Sequence, residues 1–483
     1  MRGWGRWRIG LVLALLATVV RVAWALAVPT VPVGDFATYR ESAMYLAERG
    51  HLDSGFVYMP AWVWLLSLVH HLGGEVRASK VMGAVFGGLA AGPLFAVTAR
   101  LMDNGRAAAH GQFSVERTRG VEDRGRGFGG DVDLDAAAVA VAVTAALAYA
   151  LWPAGVALAS VVGTDIPAAA VMVAALAFLC GWGDRRPSLA AAAFGAAMGV
   201  AAYFRAVALP LTALSAVYWM VRRVGARAVV TRTAIAVAMT VVCLLPWGWR
   251  NQRQNGEFFL TDSHGGITAM MGNYPNSEGT HARALASLFQ DLTGRTLLMQ
   301  PHRQTDHAAY AIAKQWMGFD PAWTAGMMAL RTERLFALEH ELLYWSVYRP
   351  GVLPPAAAAW FNQHRPSVTA VTDLFYWLFA AGLVAGVAGA WAERRWMLFL
   401  PVVFAAMLAA TYALFVAEPR YRLSTEVLLF PVAGFGAVRL GGLARRAAQR
   451  VVTPWAARGR GRGGVGGAAG GADIVGKREG RAA

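Results

Sequence analysis

Charge is scarce in this chain. Only 15% of its 483 residues are charged, whereas soluble domains carry about 25%. Acids are scarcest, with 29 Asp+Glu against 45 Lys+Arg and a net charge of +16. There are only two cysteines, Cys180 and Cys243, and both lie inside apolar runs. That excludes a disulfide framework and leaves them as packing residues. No His/Cys cluster has zinc-ligand spacing. No Walker or Rossmann glycine motif is present, so a soluble nucleotide donor is not supported. No internal repeat is evident. The missing charge is replaced by apolar residues, 57% of the total, as expected of an integral membrane protein.

A helix needs about 20 apolar residues to cross a bilayer. Ten runs qualify, near 10–30, 78–102, 135–152, 164–183, 187–203, 206–221, 231–249, 372–391, 396–416 and 424–440. Residues 1–30 start basic and turn apolar, like a signal peptide. The run is long and VAWALAV is a poor cleavage site, so a retained signal-anchor is expected. The stretch 60–73, AWVWLLSLVHHLGG, is short and is read as a re-entrant or interfacial helix. His70 and His71 are adjacent there and point to different helix faces, which disfavours a metal pair.

With the N-terminus inside, the inner segments hold 25 Lys+Arg and the short outer loops 6. This is a strong positive-inside bias. Counting 60–73 as a span would put Arg222, Arg223, Arg227 and Arg232 outside. Four parts follow: an N-terminal membrane region 1–249, an outward segment 250–371, a C-terminal membrane region 372–440 and a basic cytoplasmic tail 441–483. Within the first, 31–77 forms the outer loop and 103–134 a Gly- and Arg-rich cytoplasmic insert. The insert and the low-complexity tail from about 456 are expected to be disordered. The tail's charge suits an anionic inner leaflet, and no nucleic-acid partner is expected. TAGMMALRTERLFALEHELLYWSVYRP reads as one or two amphipathic helices.

This orientation gathers the polar span ends on one side. Asp35, Tyr39 and Glu41 follow the first span, and Tyr58 precedes the short helix. Asp165 opens the fourth span, and Arg205 separates the fifth from the sixth. Arg250 closes the seventh, and Glu418, Arg420, Tyr421 and Arg422 precede the last. A carboxylate such as Asp35 at a membrane boundary is costly unless it is solvated or used.

The segments GDFATYRESAMYLAERG, FVYMPAWVWLLSLVHHLGG, VVGTDIPAAAVMVAALAFL, LLPWGWRNQRQNGEFFLTDSHGGITAMMGNYPNSEGTH and EPRYRLSTEVLLFPVAGFG, in this order and with common sidedness, carry a resemblance. Over roughly residues 10–440 the chain resembles the GT-C polytopic glycosyltransferases. The branch is the bacterial one related to dolichyl-phosphate-mannose–protein mannosyltransferases and lipid A aminoarabinose transferases, of the family 39/83 type. The resemblance implies an all-α membrane protein: a GT-C-type bundle of about ten transmembrane helices, a re-entrant helix and an outward, mainly helical segment. It implies sugar transfer from a polyprenyl-phosphate donor to an extracytoplasmic hydroxyl, with inversion. Asp35 is the expected catalytic base. Arg420, Arg422, Arg250 and Arg205 are expected to bind the donor phosphate. Tyr39, Glu41, Asp165, Tyr421 and His264 are expected to position donor or acceptor. No metal ligand is assigned and no cofactor is required, though a divalent cation stays compatible. Expected partners are the polyprenyl-phosphate-linked sugar, membrane lipids and an acceptor protein, lipid or cell-wall glycan. The expected location is a bacterial inner or plasma membrane, with both termini cytoplasmic.

Two departures qualify the resemblance. Some relatives have a second acid directly after the first, but here Phe36 follows Asp35, which weakens a two-acid metal site. Tyr58-Met59-Pro60 stands where the aminoarabinose branch usually has Lys-Pro-Pro, which disfavours its lipid A chemistry. Plainer roles stay open beside the catalytic ones. Asp35 and Asp165 suit helix starts, His264 in DSHGG suits a tight turn, and Arg420, Arg422 and Arg250 suit the membrane edge. Arg21, inside the first span, has three readings: snorkelling, pairing with a neighbour, or reaching the phosphate. The rival class is a transporter or lipid flippase, for which the repeats that commonly mark transporters are not found.

Overall fold

The structure, a computed structural model, describes residues 4–53, 55–110, 136–275, 285–294 and 302–460. All regular structure among them is helical. The described residues up to Val438 form one compact unit and those from Arg439 onward a second.

Helix α1 (Trp4–Ala27) stops just before Pro29, and α2 (Asp35–Arg49) follows a short proline-containing loop. Next come α3 (Ala61–His71), α4 (Val76–Leu89), α5 (Ala91–His110), α6 (Ala136–Ala150) and α7 (Pro153–Ala157). Helices α8 (Asp165–Trp182) and α9 (Pro187–Phe204) form a hairpin. The short α10 (Leu209–Ala213) and α11 (Ser215–Val221) then lead to the long α12 (Ala226–Asn255). Between the membrane regions lie α13 (Gly265–Gly272), α14 (Leu285–Thr293), α15 (His302–Phe319), α16 (Pro321–Leu335), a 3-10 stretch Glu339–Trp345 and α17 (Pro355–Gln363). Helices α18 (Arg365–Ala392), α19 (Phe399–Leu414) and α20 (Arg422–Arg460) complete the chain. In the core, α1 packs on α4, α5 and α6, while α9 packs between α8 and α12.

Eight of the ten expected runs are helices long and apolar enough to cross a membrane. Two differ in form. The run at 135–152 continues past a 50° bend as Pro153–Ser160, because Pro153 has no N–H to continue the helical ladder. The run at 206–221 is a chain of short helical pieces around Pro210. The 11 residues of α3 extend about 16 Å, too short to cross a bilayer. Of the expected insert 103–134, α5 carries the start as far as His110, and 111–134 fall outside the described residues. Helix α20 runs to Arg460, and the tail beyond it is also outside them. Both cysteines are free.

The bend explains Arg21. Its guanidinium donates to the Tyr149 carbonyl at 2.9 Å and to the Ala150 carbonyl at 3.2 Å, and stacks 4.4 Å from the Tyr149 ring centroid. These carbonyls end α6, where a helix leaves acceptors unpaired and carries partial negative charge. Of its three readings, pairing with a neighbour describes this geometry.

Helices α18 and α20 approach at glycines. A Cβ on Gly386 would collide with the Val432 carbonyl, and one on Gly436 with the Gly382 carbonyl. A Gly386→Leu protein should therefore lose most of its monodisperse yield in detergent size-exclusion chromatography. A wild-type profile would show that the approach has no structural weight.

Candidate active site

Asp35 opens α2 after Gly34, whose φ of 57° and ψ of −132° suit glycine. The loop before it is pinned by the Val31 N–H, which donates to the Val352 carbonyl at 2.8 Å. On the other side of that bond, Arg349-Pro350-Gly351-Val352 turns sharply. The Val352 N–H donates to the Arg349 carbonyl at 3.1 Å, and Gly351 has φ 82°. Proline second and a left-handed glycine third are what a type II turn requires. A local turn signal thus brings residues more than 300 positions apart into register.

At Asp35, Arg420 Nη2 donates to Oδ2 at 2.7 Å, and Arg420 Nε lies 2.9 Å from Glu418 Oε2. The Arg420 side chain is 4% exposed and that of Asp35 41%. The acid is therefore open while its cation is buried. Arg420 stacks 4.0 Å from the Trp345 centroid and donates to the Tyr421 hydroxyl at 3.4 Å. Arg205 lies 4.6 Å from the Tyr421 centroid and forms an ion pair with Asp165. Arg205 follows α9 and Asp165 starts α8, so each charge suits its helix end. Tyr421 is stacked in turn on Tyr412, 5.1 Å between centroids. Asp35, Arg420, Tyr421, Arg205 and Asp165 thus form one continuous network at one end of the bundle.

A second arm leads toward the segment that joins α12 to α18. Tyr39 packs edge-on to Tyr58 at 5.4 Å, and Tyr58 meets the His264 ring at 5.2 Å. Burial, and next the Asp35 carboxylate, push both phenols above their ordinary range. Beside His264, burial and then Asp306 push the Asp262 carboxyl up to about 6. Asp306 accepts from the Gly266 N–H at 2.6 Å and so anchors the start of α13.

Three expected site residues lie elsewhere. Arg422 is fully buried between Glu339 and Glu426, each at 2.8 Å, and also donates to the Leu335 and Ala337 carbonyls. Glu339 additionally accepts from Trp152 Nε1. Arg250 lies over Trp247 at 4.5 Å and donates to Asn251 Oδ1 at 3.1 Å, with no contact to the Asp35 network. Glu41 is exposed further along α2. Conversely, Trp345 and Asp262 join the site without a motif that marks them. The only signals were the Arg-Pro-Gly turn after Trp345 and the DSHGG turn around Asp262. Among the described residues, no group of three or more His, Cys, Asp or Glu could hold a metal ion.

Gly34 is tightly fitted. A Cβ there would lie 2.8 Å from Arg349 Nη1. A Gly34→Ala protein should lose about 1–3 kcal/mol from backbone strain alone. It should also show lowered activity as the start of α2 shifts. Unchanged thermal stability and turnover would contradict this fit.

No protein-family model and no curated protein matches the chain. Among solved structures it is similar to ArnT from Cupriavidus metallidurans bound to undecaprenyl phosphate. The identity is 16% and the TM-score 0.39, over 90% of this chain and 78% of that one. For the apo state of the same protein the identity is 17% and the TM-score 0.35, over 88% and 76%.

Proposed function

We propose that the chain is a membrane glycosyltransferase that moves a sugar from a polyprenyl-phosphate donor to an acceptor hydroxyl on the outer side of the membrane. The observation that carries this reading is the exposed Asp35 carboxylate held by the buried Arg420 at 2.7 Å. Arg420 fixes the carboxylate and neutralises it in part, while Asp35 remains accessible to substrate. Asp35 takes the proton of the acceptor hydroxyl as that oxygen bonds to the anomeric carbon. The bond from that carbon to the phosphate oxygen breaks on the opposite face, so configuration inverts. A general base must sit within hydrogen-bond reach of the proton it removes. Charge grows on the departing phosphate, and fixed cations there lower the barrier. Arg205 and Arg420, flanking Tyr421, supply that charge, and arginine forks suit phosphate oxygens. Asp165 holds Arg205 in place. Tyr39, Tyr58 and His264 offer ring faces and polar edges on the acceptor side.

The test is mass spectrometry of glycolipids and envelope glycans in a strain lacking this protein. The expected result is loss of one sugar from one acceptor class, restored by the wild-type chain and not by Asp35→Asn. An unchanged glycan profile, with no transfer in vitro from polyprenyl-phosphate donors, would remove the enzyme reading.

A further inference from the structure

Arg420 and Arg205 already face carboxylates, and Arg349 does not. Its guanidinium lies 3.9 Å from the centroid of Trp345, the same indole that Arg420 stacks on at 4.0 Å. Among the described residues no carboxylate pairs with Arg349, and its Nη1 is covered without a hydrogen-bond acceptor. A buried donor without a partner is uncommon and calls for an explanation. The residue as a whole is half-buried, and it neighbours Gly34, directly before Asp35. The Arg349-Pro350-Gly351-Val352 turn and the Val31–Val352 backbone bond hold it there. The site thus contains a positioned guanidinium with no ion-pair partner among the described residues.

We propose that Arg349 binds the phosphate of the lipid-linked donor, as a third guanidinium beside Asp35. This rests on the functional reading above and deepens it. Arg420 has two acids to balance and serves Asp35 first. Arg349 has no carboxylate partner among the described residues, and it sits where only glycine lets it come so close to the chain. The chemistry it recognises is a phosphate ester at the membrane surface, and the donor is favoured over a bulk lipid headgroup because the cation adjoins the exposed carboxylate. The sequence read this stretch only as the end of an amphipathic segment, so Arg349 was not among the expected phosphate ligands.

The test uses the full chain in nanodiscs and native mass spectrometry. The probes are a polyprenyl monophosphate, a polyprenol of equal length, phosphatidylglycerol and inorganic phosphate. Wild-type protein should prefer the polyprenyl monophosphate to the polyprenol. Arg349→Ala should lose roughly tenfold to a hundredfold in affinity for the monophosphate, the usual range for a hydrogen bond to a charged group, with polyprenol binding unchanged. Arg349→Lys should recover part of the loss, and as the milder change it keeps the test valid if the alanine variant fails to fold. Inorganic phosphate should compete with the monophosphate in wild type and compete less well in Arg349→Ala. If wild type shows no preference for the phosphorylated lipid, the functional reading itself fails. If wild type shows the preference and both variants keep it in full, only the assignment of Arg349 is overturned. An Arg349-dependent affinity for phosphatidylglycerol alone would also overturn it, in favour of a headgroup site.

Discussion

An Asp35→Asn protein should insert and fold normally yet transfer sugar about 10²–10⁴-fold more slowly, the range typical of general acid–base catalysis. The substitution is nearly isosteric. It keeps an acceptor for Arg420, and the side chain is 41% exposed, so little folding energy is at stake. On the proposed mechanism it removes the capacity to accept a proton from the acceptor hydroxyl. The loss should therefore appear in kcat, with donor affinity largely retained. A variant that keeps its kcat in reconstituted membranes would rule Asp35 out as the base, whatever its contacts.

The largest effect on folding should come from Arg422, two positions from the arginine that holds Asp35. Removing it leaves Glu339 and Glu426 facing each other in a buried site, where they are 1% and 3% exposed. Breaking a buried ion pair from one side costs about 3–5 kcal/mol, a large share of the 5–15 kcal/mol that usually separates folded from unfolded protein. Arg422→Met should accordingly express poorly. A triple variant, Arg422→Met with Glu339→Gln and Glu426→Gln, removes the stranded charges as well. It should recover folding together with sugar transfer. Recovery of folding without transfer would give Arg422 a direct part in the chemistry, contrary to its placement.

These two arginines also show where the sequence stops being informative. In EPRYRLS both have the same type, charge and membrane-edge position, and both were expected at the phosphate. Arg420 lies in a 3-10 turn and Arg422 opens α20, and it is Arg420 that meets Asp35. Which one does so depends on Glu339 and Trp152, which no local pattern links to residue 422. Arg250 was a similar case, since an arginine at a span end fits a substrate or a ring face equally well, and here Trp247 takes it. The spans were more legible, because apolar length is a property of one segment. The 11 residues of α3 agree with leaving 60–73 out of the spans, on length alone. The two runs that differ in form do so at Pro153 and Pro210, where a missing backbone donor matters more than hydropathy. Trp345 and Arg349 were the hardest to read. Arg349 reaches Gly34, and Trp345 reaches Phe36 and Arg420, through a turn and one backbone hydrogen bond between distant loops, and composition shows neither.

The arrangement also gives a reason for the chain's sparing use of acids. Asp35, Asp165, Glu418, Glu339 and Glu426 all lie against arginines. Of these five, Asp35 is the most exposed. One open carboxylate among these arginine-paired acids suits one-step displacement, because a double displacement needs a second group as nucleophile.

The central claim is best tested on the product itself. Purified full-length protein would be supplied with a polyprenyl-phosphate sugar of known anomeric configuration and with the acceptor identified in the deletion strain, and the new glycosidic bond examined by NMR. The account predicts the opposite anomer together with free polyprenyl phosphate, both formed about 10²–10⁴-fold more slowly by Asp35→Asn. A product with the donor's own anomeric configuration would contradict it, because retention requires a covalent sugar intermediate in place of a single base.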